Sequence, residues 1–272
     1  GYAAALVAMG GPLFVLVFQS APDNVLCLVR KLAVSAALLG LVVLALQFGI
    51  QSVRISGMGL KGAIDPMMLG LVWDSPLGTA ALWRVVGELL IFAVLIEGKI
   101  GLATSLLGAL LVAVSYTLVG HALGDPRWLL AALVGIHLLA GAFWVGALLP
   151  LHRAVGLTGG AILLHRFGII ASGTVAVLFL AGLTFAWLMI GSLTDLFGTA
   201  YGWTFITKLA LVTGLLGLAV KNKLRLVPSL ASGDPSAPKR LRRSICCEIT
   251  AAGLILLATS TLTSITTPPI NL

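Results

Sequence analysis

Charge is scarce in this chain: only 10% of its 272 residues are charged, against 59% that are hydrophobic. A water-soluble globule of this size needs more polar surface than that, so the solvent is largely lipid. Cysteine is scarcer still. Cys27, Cys246 and Cys247 form no CxxC and no even-numbered framework, which excludes a disulfide scaffold. Also missing are a P-loop, GxSxG, HExxH, or a GxGxxG in a strand-helix setting, so nothing supports nucleotide-driven or hydrolytic chemistry and the chain does not read as an enzyme. The first residues lack a basic n-region and an A-x-A site, so residues 2–18 read as a span and not as a cleaved signal. A net charge of +8 would suggest nucleic acid in a soluble protein. Here the basic residues sit in short connections between apolar runs, which speaks of topology and of no nucleic-acid partner.

What the chain has in quantity is long apolar runs. A hydrocarbon core about 30 Å thick takes about 20 apolar residues per helix. On that measure residues 2–18, 32–50, 82–96, 100–120, 128–149, 167–191, 204–220 and 245–265 are expected spans. Runs of this length without strict alternation argue for helices. The fold class is therefore an all-α polytopic membrane protein: a bundle of about eight transmembrane helices making one domain over residues 1–272. Arg30, Lys31, Lys99, Arg153, Arg166, Lys221, Lys223, Arg225, Lys239, Arg240, Arg242 and Arg243 fall at one side, twelve of the seventeen lysines and arginines. Arg54, Lys61, Arg84, Arg127 and Lys208 fall at the other. The positive-inside rule makes the first side cytoplasmic and puts both termini outside, in the periplasm of a Gram-negative cell. Two connections are long. Residues 51–81, with Gly57, Gly59, Gly62, Pro66 and Pro76, are expected to form an outer interfacial loop. Residues 228–243 are expected to form a basic, solvated cytoplasmic loop leaning on anionic membrane lipid.

Ionisable residues inside spans carry the functional information, because each costs about 2.5 to 3.5 kcal/mol at mid-bilayer and is usually paired or functional. They are His137, Glu88, Lys208 and Glu248, with His121 at an outer helix end. A hairpin through Gly124-Asp125-Pro126 brings the helices of His121 and His137 side by side, and imidazole suits copper, zinc and haem iron alike. The alternative is that each histidine is a helix-helix hydrogen-bonding residue. His137, Gly141, Trp144 and Leu148 share one helical face, lining a pathway or packing against a neighbour. Glu88 and Lys208 enter their spans from the outer side at matching depth, which suits an ion pair fixing register or a role in ion or proton passage. Arg84 at the same boundary is expected to snorkel. The three cysteines fall at cytoplasmic helix ends, where soft thiolates suit Cu(I). Met58, Met67 and Met68 offer thioethers on the outer side, as weak copper ligands or as apolar anchors. His152 and His165 read as solvated loop residues.

From about Val119 onward, the order Gly120-His121-Ala122, His137 to Pro150 with Trp144 and Gly146, Arg166-Phe167, Tyr201-Gly202, Lys208, Lys221-Asn222-Lys223, Glu248 and Pro268-Pro269 resembles the copper resistance protein D family. The resemblance covers roughly the C-terminal 60%, and the first 80 residues by hydropathy alone. It implies a bundle of about eight helices in the bacterial inner membrane, copper import from periplasm to cytoplasm, His121 and His137 as copper ligands, and a periplasmic copper carrier of the CopC type as partner. Trp144 and Gly146 carry over only as framework. The family's Arg-Phe-Ser reads Arg166-Phe167-Gly168 here. Two readings stand beside it: a b-type haem held between membrane histidines for electron transfer, and a copper-binding membrane partner without flux.

Overall fold

The computed structural model describes residues 1–120, 126–190 and 197–264, and among them there are helices and turns but no strand. In chain order the helices are α1 (Tyr2–Val17), α2 (Asp23–Ser56), α3 (Pro66–Trp73), α4 (Pro76–Ile91), α5 (Lys99–Thr117), α6 (Arg127–Ala154), α7 (Gly160–Ile190), α8 (Ala200–Lys221), α9 (Val227–Ala231) and α10 (Ala237–Ser264). Short 3-10 turns occupy Gly59–Ile64 and Phe92–Leu95, and a π-helical segment, Asn222–Leu226, joins α8 to α9. Seven of the described helical stretches are long and apolar enough to cross a membrane. The eighth expected span, α1, has 16 residues and is about 24 Å long, less than the hydrocarbon thickness. It is an inner stave of the bundle, with Ala8, Met9 and Phe14 fully buried.

Lipid removes the hydrophobic drive between helices, which leaves close van der Waals packing of small residues to hold the bundle. The crossing of α1 and α6 shows this: a Cβ placed on Gly10 would stand 2.7 Å from the Gly146 Cα, and one on Gly146 would meet Gly10 at the same distance. Helix α6 is the spine, packing on α1, α2 and α5 on one side and on α7 and α10 on the other. α8 rests mainly on α10, and its buried residues are Tyr201 and Gly202, near its start.

One end of the bundle gathers the basic connections. Phe18 and Ala21 from the α1–α2 turn, Val155 from the α6–α7 turn, Leu226 and Val227 beyond α8, and Leu241 on α10 share one apolar cluster. Arg30 pairs with Glu97 at 2.8 Å, tying the start of α2 to the α4–α5 turn at that end. Gly1 lies at the opposite end, beside Gln47 and Tyr116.

Both long connections are shorter and more helical than residue composition suggests. α2 runs on to Ser56 and α4 begins at Pro76, so the outer connection is 57–75 and not 51–81. Asp65 caps α3 by accepting from the Met68 N–H at 2.9 Å, Ser75 caps α4 by accepting from the Leu77 N–H, and the proline after each cap sits where a missing N–H costs nothing. Trp73 folds back on Phe48, with ring centroids 6.2 Å apart. The inner segment 228–243 is likewise mostly helix, and Lys239, Arg240, Arg242 and Arg243 ride on the first turns of α10 instead of a solvated loop. Asp234 organises that start: its carboxylate accepts from the Ser236 N–H and Oγ and pairs with Arg240. The Ser236 hydrogen bonds hold the Asp234 carboxyl below the usual carboxylate range.

Candidate functional site

The second half of the bundle carries a column of polar groups in an otherwise apolar interior. His137 lies ten residues into α6, about 15 Å along it. Its Nδ1 stands 3.1 Å from the carbonyl oxygen of Leu178 on α7. A carbonyl only accepts, so Nδ1 carries the proton and Nε2 keeps its lone pair. Gly182 makes room for the ring, since a Cβ there would lie 3.0 Å from the imidazole Cε1. Lys208 lies on α8, half-buried. Two turns inward on α6 is Trp144, packed with Leu148 and Ala252 and with Val175, Leu215 and Ile249 around them. Its indole N–H is buried without a hydrogen-bond partner.

Further toward the basic end, Glu248 on α10 accepts a hydrogen bond from the Asn222 side-chain amide at 2.7 Å. Both residues are more than nine-tenths buried, as is Ser244 one turn before Glu248. The Asn222 carbonyl oxygen and the Ser244 hydroxyl have no partner. Asn222 also begins the π-helical segment, a local departure that is often met at functional positions. Tripeptide Lys221-Asn222-Lys223 reads in sequence as a charged helix end. The inward turn of its middle residue is visible only once α10 is in place.

Glu88 stands apart from this column. It is 1% exposed on α4, with its carboxylate pressed against Gly40 of α2 and Oε2 unpartnered. The expected pair with Lys208 does not form: α4 packs on α5, α2 and α1, while α8 packs on α10. Equal depth in the membrane fixes height but not position around the bundle. Arg84 does not snorkel either. It is 9% exposed, donates from Nε to Ser115 Oγ at 3.1 Å, and lays its guanidinium 3.8 Å over the Tyr116 ring, which stacks in turn on Tyr2. No spacing rule links Arg84 to Ser115 and Tyr116, because the contact crosses from α4 to α5.

The remaining candidate ligands are dispersed. Cys27, Cys246 and Cys247 are exposed, the first on α2 and the others on α10. Met58 and Met67 are exposed at the outer connection, with Met68 half-buried beside them. His121 lies outside the described residues. Among the described residues no three His, Cys, Asp or Glu side chains come together as a metal cage. Among the described residues the candidate donors stand singly along the bundle.

Comparison with known proteins bears on both halves of the chain. Residues 1–129 match the family model described as Copper resistance protein D-like, N-terminal domain. Residues 161–262 match the one described as Copper resistance protein D. No curated protein and no solved structure matches. Between the two matched segments lies most of α6, the helix that packs on both halves and carries His137 and Trp144. With its seven long apolar helices this is a multi-pass, copper-resistance and transport-related membrane protein, and the chain belongs to the copper resistance protein D family.

Proposed function

We propose that this protein carries copper across the bacterial inner membrane, from the periplasm to the cytoplasm, with His137 as a ligand along the way. The observation that supports this most directly is the His137 ring: Nδ1 is fixed by the Leu178 carbonyl, and the lone pair of Nε2 is left for a metal. Copper arrives from a periplasmic carrier of the CopC type at the outer connection, where Met58, Met67 and Met68 supply thioethers. His121 shares the ion with His137 on entry. Lys208 keeps the stop brief, because a neighbouring ammonium repels a bound cation, and conduction needs sites weak enough to leave. Trp144 walls the path, and the thiols of Cys27, Cys246 and Cys247 receive Cu(I) at the basic end.

Radiocopper accumulation in cells expressing the protein tests the proposal. His137→Ala is expected to lower protein-dependent uptake by 10-fold or more, the scale on which disturbing a metal's ligand environment acts. Unchanged accumulation with normally inserted protein overturns transport through His137. A Soret band that survives purification and vanishes in His137→Ala overturns it in favour of haem.

A further inference from the structure

Where α8 ends and α10 begins, the basic side of the bundle opens into a cleft of about 870 Å³. Four cations line it: Lys221 at the end of α8, Arg225 on the π-helical segment, and Arg240 and Arg243 on α10. Asp234 takes Arg240, and among the described residues no carboxylate pairs with the other three. At the same lining stands Ser244, 6% exposed, with a hydroxyl that has no hydrogen-bond partner. A buried hydroxyl left unsatisfied beside three uncompensated cations is half of a hydrogen-bonding site, and the missing half is an anionic acceptor.

The rest of the lining narrows the ligand. Leu218 and Leu224 face the same cleft, and Leu224 is 67% exposed. A free inorganic anion uses the cations and the hydroxyl but nothing of the leucines. An amphiphile uses both, and the cleft lies where apolar helix gives way to the basic end. We propose that this cleft binds the phosphate headgroup of an anionic phospholipid, with Arg225, Arg243 and Lys221 around the phosphate, Ser244 donating to it, and the acyl chains running outward along Leu218 and Leu224. Basic clefts between transmembrane helices on the cytoplasmic side are suited to such headgroups. The bound lipid spans α8 and α10, and so braces α8 through a contact its own sparse packing does not supply. It also sits one helical turn from the Asn222–Glu248 hydrogen bond.

The test involves no copper and is independent of the transport proposal. The full chain is placed in nanodiscs of equimolar phosphatidylcholine and phosphatidylglycerol, released, and weighed by native mass spectrometry with its retained lipids. Phosphatidylglycerol is expected to be retained selectively. Arg225→Gln with Arg243→Gln is expected to lower that selectivity roughly 30-fold, from about a fivefold loss per cation. Ser244→Ala, which removes no charge and is well tolerated in a helix, is expected to lower it on the order of 10-fold. Arg54→Gln with Lys61→Gln at the opposite end is expected to leave it unchanged. Equal retention of the two lipids by the unaltered chain overturns the proposal, as does retention that ignores both Ser244→Ala and the double variant. Displacement of the lipid by inorganic phosphate alone assigns the cleft to a free anion and also overturns it.

Discussion

On the proposed path, the Lys208 charge repels a cation that stops at His137. Its amine is carried on α8, inside the bundle, where charges are poorly screened. On the proposed path, Lys208→Gln removes that repulsion and keeps a polar side chain of similar reach. Copper is expected to bind the purified variant on the order of 10-fold more tightly, while uptake in cells slows because the ion leaves less readily. Titration of the variant with copper, run beside radiocopper uptake, reads both effects, and looser binding with faster uptake contradicts the role given to Lys208. At this scale the sequence tells only part of the story. His137 and Trp144 are legible because an imidazole and an indole ten and seventeen residues into an apolar run are conspicuous on one helical face. Asn222, Ser244 and the Arg84–Ser115–Tyr116 contact are not legible. Each becomes notable only through a partner on another helix, and periodicity within one helix says nothing of which neighbour stands opposite. The Glu88–Lys208 pairing fails for that same reason.

Close glycine contacts position helices here alongside the buried large side chains, and the α1–α6 crossing is the tightest of them. Helix α1 is held on α6 by Gly10 meeting Gly146 nearly backbone to backbone and, at its end, by Phe18 stacking on Phe143. Gly146→Leu forces the helices apart and is expected to destabilise the bundle by about 1–3 kcal/mol or more, the usual cost of overpacking. Gly135→Leu on the same helix meets open space and is expected to be neutral or slightly stabilising, since leucine is the better helix former. Thermal unfolding in detergent separates the two, and equal melting temperatures for both variants refute the account of the crossing. The spans themselves are visible in hydropathy, but their ends are not. α2 continues several residues past its apolar stretch in both directions, because Asp23 at one end and Arg54 at the other are exposed and Arg30 is paired with Glu97, so none of these charges stops the helix. The Asp65-Pro66 and Ser75-Pro76 pairs do signal helix starts. Read as loop punctuation they make the outer connection too long, and Pro228 and Pro238 mislead in the same way at the inner one.

For the molecule as a whole, the positive-inside rule and the packing agree on which connections share an end. Twelve of the seventeen lysines and arginines accumulate where the turns after α1, α4, α6 and α8 come together. Charge bias adds an expected orientation, with the basic end toward the cytoplasm. The three native cysteines turn this into a direct measurement, because all are exposed and all lie at the basic end: Cys27 one turn before Arg30, and Cys246 and Cys247 just beyond Arg243. A membrane-impermeant maleimide is expected to label them in inside-out vesicles and to leave them untouched in intact spheroplasts. The opposite end needs its own reporter. Lys61→Cys in a chain with the native cysteines changed to serine places a single thiol on the outer 3-10 turn, at a position open to solvent. That thiol is expected to react in spheroplasts and to be protected in sealed inside-out vesicles. The reverse pattern at both ends inverts the orientation, and with it the direction of the proposed copper path: Cys246 and Cys247 would then stand at the entrance, and Met58 and Met67 at the exit. Labelling of both ends from the same side is incompatible with an odd number of crossings between Lys61 and Cys246, and so contradicts the helix count itself.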